Sequence, residues 1–435
     1  MLKKQIAQRG FPSLSLSLNV PGFPKSNPAV SAFFKYCLRD LKYSLKSHLV
    51  DIQDKEAIEV CDAAGDFYLV PFSPGNFTLK EIKAFCEDFE QNHPLGRFID
   101  ADINDCQGDS VSSGKSKLCF FCLERPAIEC RRENAHEPEE LRSFMFPKME
   151  DYCSQQREND IVRELSNFAG QAIYSEISLT PKPGLVDKFS NGSHTDMNYQ
   201  TFLNSTAVIS SWFDELVREG ISFCDSDLTK ALPLIRNIGL RMESAMYEAT
   251  QNINTQKGII FLMGLSLFVS GKLISEENHF TAEEFRSIIQ GICKDLIKKE
   301  LVARSGEVKS HGEVIFRKYG LCGARGEAES GFSMVFDFGL PQLERVGKLN
   351  DKALIKSFLA IAANNNDTNI IYRSGPEVLN IFKQLCKNAL DDFNDKSYSE
   401  VIDFCKNENI SPGGSADLLA VTIFVWLVRD KFGNR

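Results

Sequence analysis

The spacing of apolar residues changes once along this chain, near residue 150, and that change restricts the fold more than any other feature. Before it, Leu14, Leu16, Leu18 and Val20 interleave with Ser15, Ser17 and Asn19, the period-two pattern of a strand with one buried face. Phe67–Phe72 and Phe98–Ile103 read as two further strands. Helical signatures lie between them. Asn27-Pro28 supplies a cap and a first-turn proline ahead of Val30, Phe33, Phe34, Cys37, Leu38, Leu41 and Leu45. Thr78-Leu79-Lys80-Glu81 is a capping box opening a helix to about Gln91. From about residue 155 the period is helical almost throughout: Ile161, Leu165, Phe168, Ala172 and Leu179 line one side of a helix. Further helices are expected over Tyr199–Glu219, Leu228–Thr250, Gln256–Val269, Ala282–Val302, Asp351–Ala362, Pro376–Asn388 and Ala416–Lys431. The pattern predicts an α+β N-terminal domain over residues 1–150, followed by a larger all-α C-terminal domain over residues 151–435. The charged stretch Glu133–Glu158, with Pro138 and Pro147, marks the boundary.

Composition narrows the partners. Apolar residues at 43% and charged residues at 25% suit an ordered globular chain. A net charge of −9 argues against a nucleic-acid partner, so anionic ligands must be held by local clusters of Lys and Arg. The longest apolar stretches, Ile259–Ser270 and Leu418–Val428, are shorter than the roughly 18 residues of a membrane span. They read as buried helices, with no membrane partner expected. Met1-Leu2-Lys3-Lys4 opens no secretion signal. The expected compartment is the cytoplasm, with the 13 cysteines reduced or metal-bound.

Chemistry-bearing residues in the second half gather between helices. Thr180-Pro181-Lys182-Pro183-Gly184-Leu185-Val186-Asp187 is a stiff loop presenting Lys182 and Asp187. Glu176 sits just upstream near an apolar stripe, where burial would raise its pKa and suit it to proton transfer; a half-exposed helix-end Glu is the plainer reading. His194 and Asp196 share a turn, and Lys257 opens a buried helix where a phosphate would be well held. The densest segment carries His311, Glu313, Arg317, Lys318, Arg325, Glu327 and Glu329 among glycines. Carboxylates beside guanidiniums are what a Mg²⁺–polyphosphate complex requires. Asp367 with Arg373, and Asp417 in Ser411-Pro412-Gly413-Gly414-Ser415-Ala416-Asp417, repeat this chemistry; Asp417 could equally complement a helix dipole.

In order, T-P-K-P-G-L-V-D, N-G-S-H-T-D-M, N-T-Q-K-G, H-G-E, G-A-R-G-E-A-E-S-G-F, D-T-N and S-P-G-G-S-A-D-L-L span residues 180–419. Together they resemble the triphosphoribosyl-dephospho-coenzyme A synthase family. The resemblance implies transfer of the triphosphoribosyl unit of ATP to the 2′-hydroxyl of 3′-dephospho-coenzyme A, with release of adenine. Gln256 and Tyr372 stand where that family often carries His, which removes those two positions from the expected set. A ribose–adenine bond breaks through an oxocarbenium-like centre, where carboxylates stabilise charge and accept the hydroxyl proton. Glu176, Asp187, Asp196, Glu313, Glu327, Glu329 and Asp417 are expected in acid–base or Mg²⁺ work. Lys182, His194, Lys257, His311, Arg317, Arg325, Asp367 and Arg373 are expected around the substrates and their phosphates.

In the first half, His93-Pro94-Leu95-Gly96-Arg97 precedes a strand with Asp100 and Asp102 on one face. Such a pair suits Mg²⁺-assisted displacement at phosphorus, with His93 and Arg97 beside the phosphate; a strand-edge acidic pair is the plainer reading. Cys119, Cys122, Cys130 and His136 have zinc-like spacing. Reduced cysteines in a basic segment (Lys115, Lys117, Arg125, Arg131, Arg132) remain the alternative. H-P-L-G-R-x2-D-x-D followed by C-x2-C-x7-C-x5-H resembles the holo-citrate lyase synthase family, with a shorter N-terminus here and fewer Arg before the first Cys. That resemblance implies that a serine of the apo-citrate lyase acyl carrier protein attacks the phosphate nearest the ribose, and diphosphate leaves. The order of the halves matches known fusions of the two activities. Two rivals remain: a malonate-decarboxylase carrier, and a non-catalytic carrier-docking role for the first half.

Overall fold

The computed structural model describes residues 3, 6, 10–112, 114, 117–302 and 311–433; Lys115 and the Met1-Leu2 start fall outside them. The chain divides into two compact units, Met1–Arg157 and Glu158–Arg435. The first unit is a small antiparallel sheet with helices, and the second is helical, as the α+β and all-α expectation stated.

In the first unit the strands are β1 (Ser13–Leu18), β2 (Asp51–Ile52), β3 (Ile58–Asp62), β4 (Gly65–Ser73) and β5 (Ile99–Asn104). They lie in the order β2-β4-β1-β5, and β3 also pairs with β4. Register explains the serine–leucine alternation. Leu14 faces Val70 and Ile103, and Leu16 faces Tyr68 and Ala101, so one sheet face is wholly apolar. Helices α1 (Pro28–Ser47) and α2 (Leu79–Asn92) cover that face with Val30, Phe33, Leu41, Ile82 and Cys86. Asn27 caps α1, and Thr78 with Glu81 forms the expected capping box on α2. The opposite face pairs Ser15 with Asp102 and Ser17 with Asp100. A short helix α3 (Ala127–Arg132) precedes the 41-residue helix α4 (Pro138–Ser178). The expected boundary near 150 therefore falls inside a helix. Pro147 has not ended it, and the division between the units lies further along it.

The second unit continues with α5 (Tyr199–Ser210), α6 (Phe213–Ser222), α7 (Ala231–Ala249), α8 (Lys257–Glu277), α9 (Ala282–Ile292), α10 (His311–Tyr319), α11 (Gly323–Glu329), α12 (Leu340–Val346), α13 (Asp351–Asn364), α14 (Thr368–Asp391), α15 (Asp395–Asn407) and α16 (Gly413–Phe432). Wide helical turns over Lys298–Val302 and Met334–Gly339 join this set. Two expected single helices are broken. Tyr199–Glu219 divides at Ser211-Trp212, and Ala282–Val302 divides after Ile292. Helix α8 is the hub. Gly220 and Gly271 let α6 and α8 touch backbone to backbone: a Cβ on Gly220 would lie 2.0 Å from the Phe268 carbonyl. By length and composition α8 could cross a membrane, longer than its apolar stretch alone suggests. Yet 78% of its most apolar window is buried inside the protein, the condition of a core helix.

Candidate functional site

Helix α4 ends with Glu176 buried in its last turn, and the proline-rich loop folds Lys182 back onto it. Lys182 Nζ donates to Glu176 Oε1 at 2.7 Å, with the two side chains only 5% and 9% exposed. The loop is held by Asp187: its Oδ2 accepts the Lys182 N–H at 3.1 Å, and its Oδ1 accepts those of Phe189 and Ser190, each at 2.9 Å. Four residues past Ser190, His194 Nε2 lies 2.8 Å from Ser411 Oγ. Arg373 Nη1 donates to the Ser193 carbonyl at 3.0 Å, with Nη2 beside His194. Burial and then Arg373 push the His194 pKa below its ordinary value. Asp196, 58% exposed, lies 3.7 Å from the same ring.

The start of α16 returns to this place. Asp367 Oδ2 accepts the Ser415 N–H at 2.8 Å and its hydroxyl at 3.0 Å, and Oδ1 accepts the Asn369 N–H at 3.0 Å. Burial raises the Asp367 pKa despite these donors. Asp417 receives no hydrogen bond among the described residues, and its pKa lies well above the ordinary value because of burial, then Glu176, then Asp367. Its Oδ2 reaches so close to the first turn of α8 that a Cβ on Gly258 would lie 2.0 Å away. Glu176, Lys182, Asp367 and Asp417 therefore share one locality at the ends of α4, α8 and α16.

A second cluster forms around Glu300, which accepts Arg325 Nε–H at 2.9 Å on Oε2 and a guanidinium N–H of Arg236 on Oε1. Burial pushes the Glu300 carboxyl up, but the two guanidiniums outweigh it and hold it below the ordinary range. Glu329 accepts the Ile297 N–H at 3.3 Å. A Cβ on Gly312 would lie 4.0 Å from Arg325 Nη1, so the H-G-E segment abuts the G-A-R-G segment. Glu313 and the exposed Arg317 lie on α10; the side chain of His311 lies outside the described part of the chain.

Two expected residues are turned to other tasks. Glu327 caps the wide turn that follows α11, accepting the Met334 N–H at 2.6 Å and the Ser333 hydroxyl at 3.3 Å. Burial raises its pKa to about 7 against those donors. Lys257 pairs with Glu243 at 2.6 Å. Gln256 is buried and bonded to Ser205 and Thr206, so the departure from His sits in a packed amide site. Sequence reasoning passed over Arg236 and Glu300, which belong to no motif and meet only through the fold. A cavity of about 570 Å³ lined by Val346, Asn350, Asp351, Lys352 and Lys356 contains none of the candidate residues.

In the first unit Asp100 and Asp102 share the sheet face opposite the apolar core. Lys83 of α2 donates to Asp102 Oδ1 and to the Ala101 carbonyl, each at 2.8 Å. Glu90 accepts the Ala101 N–H at 2.9 Å and pairs with Lys117. Two charged side chains thus occupy the free edge of β5, which protects an edge strand from further pairing. Burial and then Asp102 raise the Asp100 pKa. His93 faces inward: its Nδ1 accepts the Leu95 N–H at 3.0 Å, and Nε2 donates to Tyr152 Oη at 3.0 Å, which donates to Asp40. Arg97 donates to the Leu118 carbonyl. These bonds make His93 and Arg97 braces of the turn.

Cys119, Cys122, Cys130 and His136 converge, their ligand atoms all within 4.8 Å of one another. Cys119 Sγ lies 3.5 Å from His136 Nε2, and Cys122 Sγ lies 3.7 Å from Cys130 Sγ. A tetrahedral zinc shell has S···N and S···S edges of about 3.6 and 3.8 Å, given zinc–ligand bonds of about 2.1 and 2.3 Å, so the donor set and spacing fit that ion. The Glu124 N–H chiefly, and His136 with the neighbouring sulfurs, draw the Cys122 thiol down to about 6.

Carboxylate-and-cation clusters in both units fit a two-part group-transfer enzyme, and comparison with known proteins agrees. Residues 162–435 match the CitG family, ATP:dephospho-CoA triphosphoribosyl transferase. Residues 1–152 match the CitX family, apo-citrate lyase phosphoribosyl-dephospho-CoA transferase. The chain is 32% identical over 437 residues to Protein CitXG of Leuconostoc mesenteroides, covering 94% of this chain and 90% of that one. Protein CitXG of Haemophilus influenzae is 31% identical, covering 96% and 91%. A probable 2-(5''-triphosphoribosyl)-3'-dephosphocoenzyme-A synthase of Photobacterium profundum is 37% identical, covering 62% and 88%. The chain is a bifunctional transferase of citrate lyase prosthetic-group synthesis and attachment. It belongs to the CitXG family, the fusion of CitX and CitG. A non-catalytic first half is not favoured, since the CitX family is itself a transferase family.

Proposed function

We propose that residues 151–435 join ATP to 3′-dephospho-coenzyme A, and that residues 1–150 transfer the product to a serine of the apo-citrate lyase acyl carrier protein, in the cytoplasm. The convergence of Glu176, Lys182, Asp367 and Asp417 carries the reading. The ribose 2′-hydroxyl of dephospho-coenzyme A attacks C1′ of the ATP ribose, the C1′–N9 bond breaks, and adenine leaves with a proton. Asp417, kept protonated by burial and then by Glu176 and Asp367, supplies the proton to adenine, and Glu176, paired with Lys182, accepts the hydroxyl proton. Two nearby carboxyls in different environments are suited to these opposite tasks. Arg325 and Arg373, with Lys182, face the phosphates and the second substrate, and His194 and Asp196 steady the loop beside Arg373. Mg²⁺ held beside Glu313 and Glu329 would screen the triphosphate charge.

In the first unit the carrier serine Oγ attacks the phosphorus nearest the ribose, the bond to the outer two phosphates breaks, and diphosphate leaves. Asp100 takes the serine proton, and Asp102, fixed by Lys83, would hold Mg²⁺ to offset the phosphate charge. Cys119, Cys122, Cys130 and His136 would hold a structural Zn²⁺. The test is one incubation with ATP, Mg²⁺, dephospho-coenzyme A and apo carrier protein, following adenine and carrier mass. Stoichiometric adenine and diphosphate are expected, with a carrier heavier by the prosthetic group. Adenine without a carrier adduct removes the reading for the first unit, and no adenine removes it for the second.

A further inference from the structure

We propose that Arg236 and Arg325, aimed by Glu300, form a two-guanidinium clamp for the triphosphate chain of ATP. The inference rests on the reading of the second unit as the triphosphoribosyl transferase and adds two residues to it. Arg236 comes from α7, Arg325 from α11 and Glu300 from the wide turn Lys298–Val302. Glu300 is buried, and its two oxygens engage one guanidinium each.

Two guanidiniums share the one carboxylate of Glu300, in a chain whose net charge is −9. A guanidinium carries five N–H donors in a rigid fork, and Glu300 engages one nitrogen of Arg325 and one of Arg236. Their side chains keep 29% and 37% exposure respectively, so neither is sealed in the core as a plain internal staple would be. Two planar forks fixed by a common carboxylate match tetrahedral phosphoryl oxygens, which favour bidentate guanidinium partners.

Position supports the same ligand. Gly323, which opens α11 ahead of Arg325, lies against Thr368: a Cβ there would meet Thr368 Cγ2 at 3.3 Å. Thr368 directly follows Asp367 of the acid cluster. Glu329 stands one helical turn beyond Arg325, and Arg236, Glu300 and Glu329 all act electrostatically on the buried Cys293. The start of α11, two residues before Arg325, therefore touches the start of α14 next to Asp367, which places the clamp's helix beside the acid cluster. Glu300 is a positioning residue, and the two arginines touch the phosphates.

The test uses the full chain and inorganic tripolyphosphate, with binding measured by calorimetry on the unliganded enzyme and inhibition measured in the adenine-release assay. Arg236→Gln and the milder Arg236→Lys should each weaken tripolyphosphate binding, Arg236→Gln by about ten- to a hundredfold, the value of a charge-assisted hydrogen bond. The KM for ATP should rise in step, while the KM for dephospho-coenzyme A stays within about threefold of wild type. Glu300→Gln should raise the KM for ATP more than it lowers kcat, and Glu300→Asp should restore part of the loss. If the folded Arg236→Lys and Glu300→Gln proteins bind tripolyphosphate as wild type does, and lose only melting temperature, the triad is a staple and the clamp is wrong. Tripolyphosphate binding needs no turnover. An enzyme that binds it through Arg236 but releases no adenine would keep the clamp and overturn the reaction assigned to the unit.

Discussion

Replacing Lys182 by Met should destabilise the second unit by about 3–5 kcal/mol, the cost of stranding a buried charge when its partner is removed. The magnitude follows from the site. Nζ and Oε1 are 2.7 Å apart, and both side chains are at least nine-tenths buried. With charge centres about 3–4 Å apart and an effective dielectric near 20, the attraction is about 4–5 kcal/mol, similar to the combined desolvation penalty. The pair is thus close to neutral as a whole, although either member alone is costly. Asp417 and Asp367 add to the imbalance, since both already lie in an acidic neighbourhood. Lys182→Met and Glu176→Leu should each lower the calorimetric melting temperature by about 6–20 °C, at about 2–4 °C per kcal/mol for a unit this size. The double variant should recover most of that, so the cost of the two singles together exceeds that of the double by about 5 kcal/mol or more. All three proteins should release no adenine. All three should still load carrier when triphosphoribosyl-dephospho-coenzyme A is supplied, because that step is assigned to the other unit. A Lys182→Met protein within about 1 kcal/mol of wild type, or a double variant as unstable as the sum of the singles, would refute the buried-pair argument.

Other perturbations separate structural from chemical roles. Gly258→Ala would ordinarily stabilise a helix by up to about 1 kcal/mol; here the Cβ meets Asp417, so adenine release should fall at least about tenfold with no gain in melting temperature, and a fully active, more stable variant would show that Asp417 is not held there. Asp100→Asn and Asp102→Asn should each abolish carrier loading, seen by intact mass, while adenine release continues; unchanged loading would move the chemistry off β5. One zinc per chain is expected by emission spectroscopy, lost in Cys122→Ser together with melting temperature, and a metal-free wild type of equal stability would argue for plain thiols. Glu327 titrates near 7 when folded against an ordinary 4.5. The folded state therefore holds the proton more tightly, and the stability it contributes below 4.5 is lost as pH rises through 7. Glu327→Gln keeps the Met334 N–H bond through its amide oxygen, while its amide N–H2 can only donate to Ser333 Oγ; its stability from urea unfolding should vary little between pH 5 and 8 and exceed wild type at pH 8 by about 1–3 kcal/mol, and an unchanged pH slope would contradict the raised pKa.

How far the chain could be read in advance depended on whether the information was local. The alternation of Leu14, Leu16 and Leu18 with serines is a local period, and it places three leucines on one side of β1 whatever the strand pairs with. Asn27 and Thr78 likewise cap helices through N–H groups three residues away. The break at Ser211-Trp212 was hidden because Phe213, Leu216 and Val217 continue an apolar stripe past it. Strand β3 was hidden for a related reason: at the sheet margin its residues stay half-exposed and show no clear period. Pairing is a different kind of information. Glu300 sits in an undistinguished run of charge, and only the fold brings Arg236 and Arg325 to it from two other elements. The acids of the second unit show the same limit within motifs. Asp187, Glu327 and Asp417 all occur in quoted segments, yet Asp187 and Glu327 have their oxygens committed to donors within their own loop or turn. Asp417 has no such donor and faces two other carboxyls instead. A motif fixes which groups return to one place, and the backbone N–H groups there decide which carboxyl remains available for chemistry.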